Sequence, residues 1–136
     1  MPTSKIDDKV RAFLEKPHHC VLATINRDGS PQLTVMWYDL VGDIVVMNMS
    51  RGLVKEGNLR RDPRAAICVE DGPRFVTLSG TVDIVEDRAI QEVEVNRMTV
   101  RYRGARLAAT HWDTIKASDR IGIHLKVESV ISKDID

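Results

Sequence analysis

Apolar side chains near the start of the chain recur at Ile6, Val10, Phe13 and Leu14. The i, i+4, i+7, i+8 spacing puts them on one stripe of an amphipathic helix. Ser4 or Asp7 can cap its start, and Pro17 stands beyond its end. From His19 to Ile25 the residues favour a strand. Asn26-Arg-Asp-Gly-Ser30 is a turn with glycine where positive φ is wanted, and Pro31 to Asp39 resumes extended structure, which predicts a hairpin. Gly42-Asp43 signals a second turn. The β-branched run Ile44 to Met49 is expected to pair back as a third strand.

From Ser50 to Arg61 the chain turns polar and basic with helix-compatible residues, and Asp62-Pro63 stops it because proline cannot donate to a helix ladder. Arg64 to Glu70 reads as a fourth strand, Asp71-Gly-Pro73 as a turn, and Arg74 to Val85 as a long fifth strand. Glu86 to Arg103 lacks breakers and reads as a helix closed by Gly104. A short helix is expected over Trp112 to Ala117. The clean alternation from Arg120 to Ile131 marks a half-buried last strand. The expectation is a mainly β fold with α: six strands in short-turn succession, with helices after the third and fifth. That order favours an antiparallel barrel over a parallel α/β sheet.

Length and composition narrow the class. A chain of 136 residues fits one domain, taken here as 1–136, large enough for a hydrophobic core without staples. Lys plus Arg and Asp plus Glu are both 20, so no long-range field draws the protein to nucleic acid or an anionic membrane, and any anion site must be local. The opening Met1-Pro-Thr-Ser-Lys-Ile has no apolar leader pattern. No later run approaches the roughly 20 apolar residues of a membrane span. The reading is a cytoplasmic protein. Cys20 and Cys68 sit in apolar runs and read as buried core thiols.

The segment from Met47 to Arg64 gathers hydroxyl, amide and cationic groups at a strand end and a helix start. Helix N-termini offer unpaired N–H groups and a partial positive charge, and nearby cations add charge-assisted bonds to phosphate. Ser50, Arg51 and Lys55 are the candidates for such an anion site. The plainer reading is that Arg51, Lys55, Arg60, Arg61 and Arg64 form a solvated helix face. In the preceding strand, Gln32, Thr34, Met36 and Tyr38 share one face and Leu33, Val35 and Trp37 the other, so a flat ligand could lie along it. His18 and His19 point opposite ways and no cysteine or carboxylate completes a metal set, so no metal is expected. His111-Trp112 could line a substrate mouth. Met36, Met47 and Met49 could cushion a ring or simply fill the core. The sequence has no Ser/His/Asp or Cys/His pairing with motif support, and no CxxC, GxGxxG or Walker loop, so no catalytic residue is named.

Val21-Leu-Ala-Thr24, Asp28-Gly-Ser-Pro-Gln32, Val35-Met-Trp-Tyr38 and Lys55-Glu-Gly-Asn-Leu-Arg-Arg-Asp-Pro-Arg64 together resemble the pyridoxamine 5′-phosphate oxidase-like superfamily of flavin mononucleotide-binding split barrels. Within it, the chain is most similar to the flavin/deazaflavin oxidoreductase B group, which uses coenzyme F420. The resemblance implies a homodimer of six-stranded split β-barrels with the cofactor in a groove between subunits. The ring would lie against Gln32, Thr34, Val35, Met36 and Trp37, with Asn48 and Met49 as ring or ribityl contacts. The phosphate end would fall near Ser50, Arg51, Lys55, Asn58 and Arg60, and Phe75 and Thr77 lie on the strand that a partner subunit would offer.

Two departures from the family pattern matter. Where flavin mononucleotide oxidases carry a Ser-Arg-Lys clamp, this chain reads Leu53-Val54-Lys55, one cation short. It ends Val-Ile-Ser-Lys-Asp-Ile-Asp136 and not in the Arg-rich segment that binds vitamin B6 substrates. The resemblance therefore implies hydride transfer from reduced coenzyme F420 to an unsaturated small-molecule acceptor, with Arg60, Arg61 and Arg64 suited to the coenzyme's polyanionic tail. Two alternatives stand beside it: a flavin mononucleotide-dependent oxidase or reductase, and a non-catalytic flavin, deazaflavin or haem binder on the same barrel.

Overall fold

The structure is a computed structural model that describes residues 4–135. Met1 to Thr3, part of the stretch read as lacking a leader, and the terminal Asp136 lie outside the described residues. The chain opens with α1 (Asp8–Glu15), capped by the Asp7 carboxylate, which accepts from Val10 N at 2.8 Å. Val10, Phe13 and Leu14 of its apolar stripe are buried, as is Ile6 before it.

Strands β1 (Cys20–Ile25) and β2 (Pro31–Met36) form the expected hairpin, turning at Gly29 with φ 88°. The extended run then breaks at Trp37-Tyr38. The Tyr38 ring turns into the core, fully buried, and its hydroxyl donates to Leu14 O at 2.7 Å. Beyond the break, β3 (Asp39–Val41) pairs with β4 (Ile44–Ser50) and not with β1. The sheet therefore has seven strands where the sequence pattern predicts six. The strand at Ile44 returns against β3 and against the last strand, Arg120–Lys133, not against the hairpin. Alternation of side chains reports that residues are extended. It does not report which neighbour they pair with, so the two-residue hop between ladders leaves no mark in the sequence.

Helix α2 (Val54–Arg61) leads into β5 (Arg64–Asp71) and β6 (Arg74–Val85). Helices α3 (Arg88–Arg103) and α4 (Ala105–Ile115) precede β7 (Arg120–Lys133). The last helix begins at Ala105, seven residues before the expected Trp112, because Gly104 with φ 93° turns the chain directly from one helix into the next. Strand order is β2-β1-β5-β6-β7-β4-β3, antiparallel throughout. The sheet curls around Leu22, Val45, Met47, Ile67, Leu78 and Ile123, all buried, but β2 and β3 at its two edges are not paired, so the barrel is split and not closed. Gly80 permits the tight crossing of β6 over β7: a Cβ there would lie 1.8 Å from Lys126 O. Among the described residues, no helix is long and apolar enough to cross a membrane.

Candidate cofactor site

The split between β2 and β4, with the start of α2 beside it, gathers most of the sequence candidates. Inward-facing side chains close one side. Met36 and Met49 are buried in the barrel, which leaves only their backbone groups for a ligand. Thr34 and Gln32 on the same face are half-buried. Val35 faces outward and is 64% exposed, and Trp37 is half-buried with one ring face stacked on Tyr102 at 4.8 Å and 11° between planes.

Three polar networks surround the split. In the first, Asn58 of α2, 3% exposed, donates from Nδ2 to Thr24 Oγ1 at 3.1 Å and Asn26 Oδ1 at 3.0 Å. Thr24 Oγ1 in turn donates to Gln32 Oε1 at 3.2 Å. Arg61 donates to Asn58 Oδ1 at 3.0 Å and Ile25 O at 2.6 Å. The structure thus uses Asn58 to clamp α2 onto the first hairpin. A buried amide with its donors and acceptors met is a fold element before it is a ligand contact.

The second network is ionic. Arg51 contacts Glu86 at 2.9 Å, Asp119 at 3.1 Å and Glu56 at 3.6 Å, while Arg60 contacts Glu56 at 2.9 Å and Glu86 at 3.2 Å. Asp119 and Glu86 raise the Arg51 pKa, and the arginines in turn keep Glu86 below the usual carboxylate range. For Glu56 the Gly52 N–H, donating to Oε1 at 2.6 Å, does most to lower the pKa. Arg64 pairs with Asp62 at 2.7 Å. Arg51, Arg60 and Arg64 therefore already have counter-charges, and a phosphate would have to exchange for them.

Lys55 differs. It lies in the first turn of α2, is 8% exposed, and has no hydrogen-bond or ion-pair partner among the described residues. Burial alone pushes its ammonium pKa down. The helix cap beside it, Leu53, supplies no side-chain acceptor, so the N–H groups of Val54 and Lys55 stay open as well, while that of Glu56 donates to Leu53 O at 3.1 Å. A buried cation without a counter-charge next to open helix donors is a costly arrangement unless an anion completes it.

The third network centres on Arg120, which sequence reasoning passed over. Its Nε donates to Asn48 Oδ1 at 2.7 Å and its Nη1 to Ser50 Oγ at 3.3 Å. Asn48 Nδ2 donates to Gln91 Oε1 at 2.9 Å, so the Asn48 amide is fixed at both ends. Burial lowers the Arg120 pKa, and its partners are neutral. Together with Trp37, Asn48 and His111 it lines a small cavity of about 60 Å³. The available signal was an arginine opening the alternating last strand at its polar end, opposite Ser50 in register. Trp112, by contrast, is core, packed with Val46, Val95 and Met98. Phe75 and Thr77 lie on the outer face of β6, separated from β2 by β1 and β5, and so are not brought to Lys55 within one chain.

Comparison with known proteins decides the family, since the model of pyridoxamine 5′-phosphate oxidase matches residues 6–133. The chain belongs to the pyridoxamine 5′-phosphate oxidase family. Among relatives of this family member, the F420H(2)-dependent biliverdin reductase of Mycobacterium tuberculosis (strain CDC 1551 / Oshkosh) is 29% identical over 107 residues, 76% of this chain and 77% of the relative. The solved structure of conserved hypothetical protein Rv2991 from Mycobacterium tuberculosis superposes with TM-score 0.84 at 26% identity, covering 98% of this chain and 89% of the other. An F420 reductase superposes with TM-score 0.71 at 25% identity, covering 96% and 98%.

Proposed function

We propose that this family member is a coenzyme F420-dependent reductase of small unsaturated molecules, cytoplasmic and assembled as a homodimer. One observation carries the reading: Lys55, a largely covered side chain, holds a cation without a counter-charge at the open start of α2. The names of two similar proteins, an F420H(2)-dependent biliverdin reductase and an F420 reductase, support the choice of cofactor. Val54 in place of a second clamp cation argues against flavin mononucleotide.

When bound, the deazaflavin ring supplies the hydride. The chain's own residues bind and orient. The Lys55 Nζ and the first N–H groups of α2 take the phosphate, with Ser50 beside them. The Asn48 amide, held by Arg120 and Gln91, presents a fixed polar edge at the ring end, and Trp37, backed by Tyr102, forms a rigid wall that excludes water. Thr34 and Val35 of the β2 edge complete the groove, while Tyr38, offered by the sequence, is turned into the core. No side chain is assigned to proton transfer.

The dimer reading rests on the outer sheet face. Leu33 and Val35 of β2 and Ile131 of β7 are 66%, 64% and 63% exposed, and between them lie Val21, Ala23, Ala66, Cys68, Phe75 and Thr77. The central row Val35, Val21, Cys68, Thr77 and Ile131 is uncharged, with Arg64, Glu70 and Lys133 only at its margins, and a sheet face with such a centre calls for a partner. A second copy docked there brings its own Phe75 and Thr77 toward the groove of the first.

A titration of the cofactor-free protein with coenzyme F420, and separately with flavin mononucleotide, tests this reading through Trp37 emission, with buried Trp112 as the less affected reference. Micromolar or tighter binding of coenzyme F420 alone, about −8 kcal/mol or better, supports it. Preference for flavin mononucleotide moves the protein to the oxidase branch, and binding of neither overturns it.

A further inference from the structure

Helix α3 carries two apolar stripes. One, with Val95 and Met98, is buried against Val46 of β4. The other, Ile90 and Val93, is 46% and 60% exposed. β-Branched residues on an open helix face give up about 0.5 kcal/mol each of helix propensity relative to alanine, and core packing does not repay it here. These two side chains roof a cavity of about 420 Å³ whose floor is Val41 of β3 with Ile44 and Val46 of β4. That volume lies within the range of small-molecule sites.

The polar groups in its walls are paired except one. His124 Nε2 lies 2.6 Å from Glu94 Oε2, and Arg97 Nε lies 3.3 Å from Asp39 Oδ2, while Glu94 Oε1 is buried without a hydrogen-bond partner. A fully charged ligand would shed its hydration among mainly apolar walls, whereas an uncharged ligand gives up little and can offer one donor to Glu94 Oε1. The recess is also distinct from the cofactor site. Its outer floor residue Ile44 is four positions from the site residue Asn48 on β4, roughly 13 Å at the strand rise, and its deepest residue Val46 is two positions away, roughly 7 Å, so the two sites are neighbours with separate mouths. It is concave, reaching down to Val46 at 3% exposure, unlike the open sheet face of Leu33 and Val35.

We infer that the recess between α3 and the β3–β4 hairpin is a second ligand site, for a small, uncharged and mainly apolar molecule, independent of the cofactor groove. Its apolar walls supply the driving force, and the Glu94–His124 and Asp39–Arg97 contacts leave Glu94 Oε1 as the place for one ligand hydrogen-bond donor.

The test titrates the purified protein, cofactor-free and saturated with coenzyme F420, with N-phenyl-1-naphthylamine, an uncharged dye that brightens in apolar surroundings. The expected result is saturable micromolar binding at one dye per chain, unchanged by coenzyme F420. Val93→Trp and, from the opposite wall, Val41→Trp fill the recess from exposed positions. Each should weaken dye binding at least tenfold with the same melting temperature, while Val35→Ser on the outer sheet face leaves it unchanged. Three results would overturn the inference: no saturable signal, both tryptophan variants binding as wild type, or displacement of the dye by coenzyme F420. A fourth is self-association of the wild type that Val93→Trp abolishes in the absence of any dye signal, which would assign the recess to protein contact.

Discussion

Replacing Lys55 with methionine separates binding from folding at this position. The Lys55 side chain has no partner to lose among the described residues, and its charge is held below its ordinary pKa by burial alone. Methionine keeps the stem and removes the desolvated charge, so the free energy of unfolding at neutral pH should stay level or rise. A charge-assisted bond to an anion contributes about 1.5–3 kcal/mol, so coenzyme F420 affinity should fall roughly ten- to one-hundred-fold. The sign of the pH dependence follows from the lowered pKa. Between the folded and the ordinary lysine pKa the unfolded chain holds more protons, so wild-type stability gains as pH rises through that alkaline window. The destabilising contribution is fully present below the folded pKa. Lys55→Met should flatten this gain. Urea unfolding across pH and a fluorescence titration of the same variant measure both quantities. A variant that loses stability while binding the coenzyme as wild type would refute the reasoning, because Lys55 would then be a structural residue.

Three further outcomes follow from the geometry. Val35→Asp puts a charge on the 64%-exposed outer sheet face and should leave the fold intact while converting the dimer to monomer in sedimentation velocity; an unchanged mass would remove that face as the interface. Gly80→Ala forces a Cβ to within 1.8 Å of Lys126 O, a backbone atom with nowhere to go, and should cost more than about 3 kcal/mol in chemical unfolding or prevent folding; a wild-type melt would show that the β6–β7 crossing is looser than described. Burial pushes the Cys20 thiol up to about 12, whereas Cys68 lies half-buried on the outer face, so in the monomeric Val35→Asp variant a thiol reagent at mildly alkaline pH should label Cys68 in the folded protein and Cys20 only on unfolding, with Cys68 protected in the wild-type dimer. Mass mapping of the labelled peptides decides it.

The hydrophobic pattern by itself determined the elements. The stripe of α1, the three glycine turns at Gly29, Gly42 and Gly72, and the alternation of β7 are local properties, each written in residues close together in the chain. It also carried the family, because the segments around Gln32 and Lys55 hold their order and spacing. Tertiary structure alone decided which strands meet. The turn of Tyr38 into the core separates β2 from β3 and puts them on opposite edges of one seven-stranded sheet, a pairing set by partners far away in sequence. It likewise decided which cations are free. Arg51, Arg60 and Lys55 look alike in a basic run, yet Glu86 and Asp119, more than 25 residues downstream, neutralise the first two with Glu56 and leave the third bare. Charge is a property of a residue, but its availability depends on what folding brings beside it, and that is why Arg120, with only neutral partners, escaped a reading by composition and spacing.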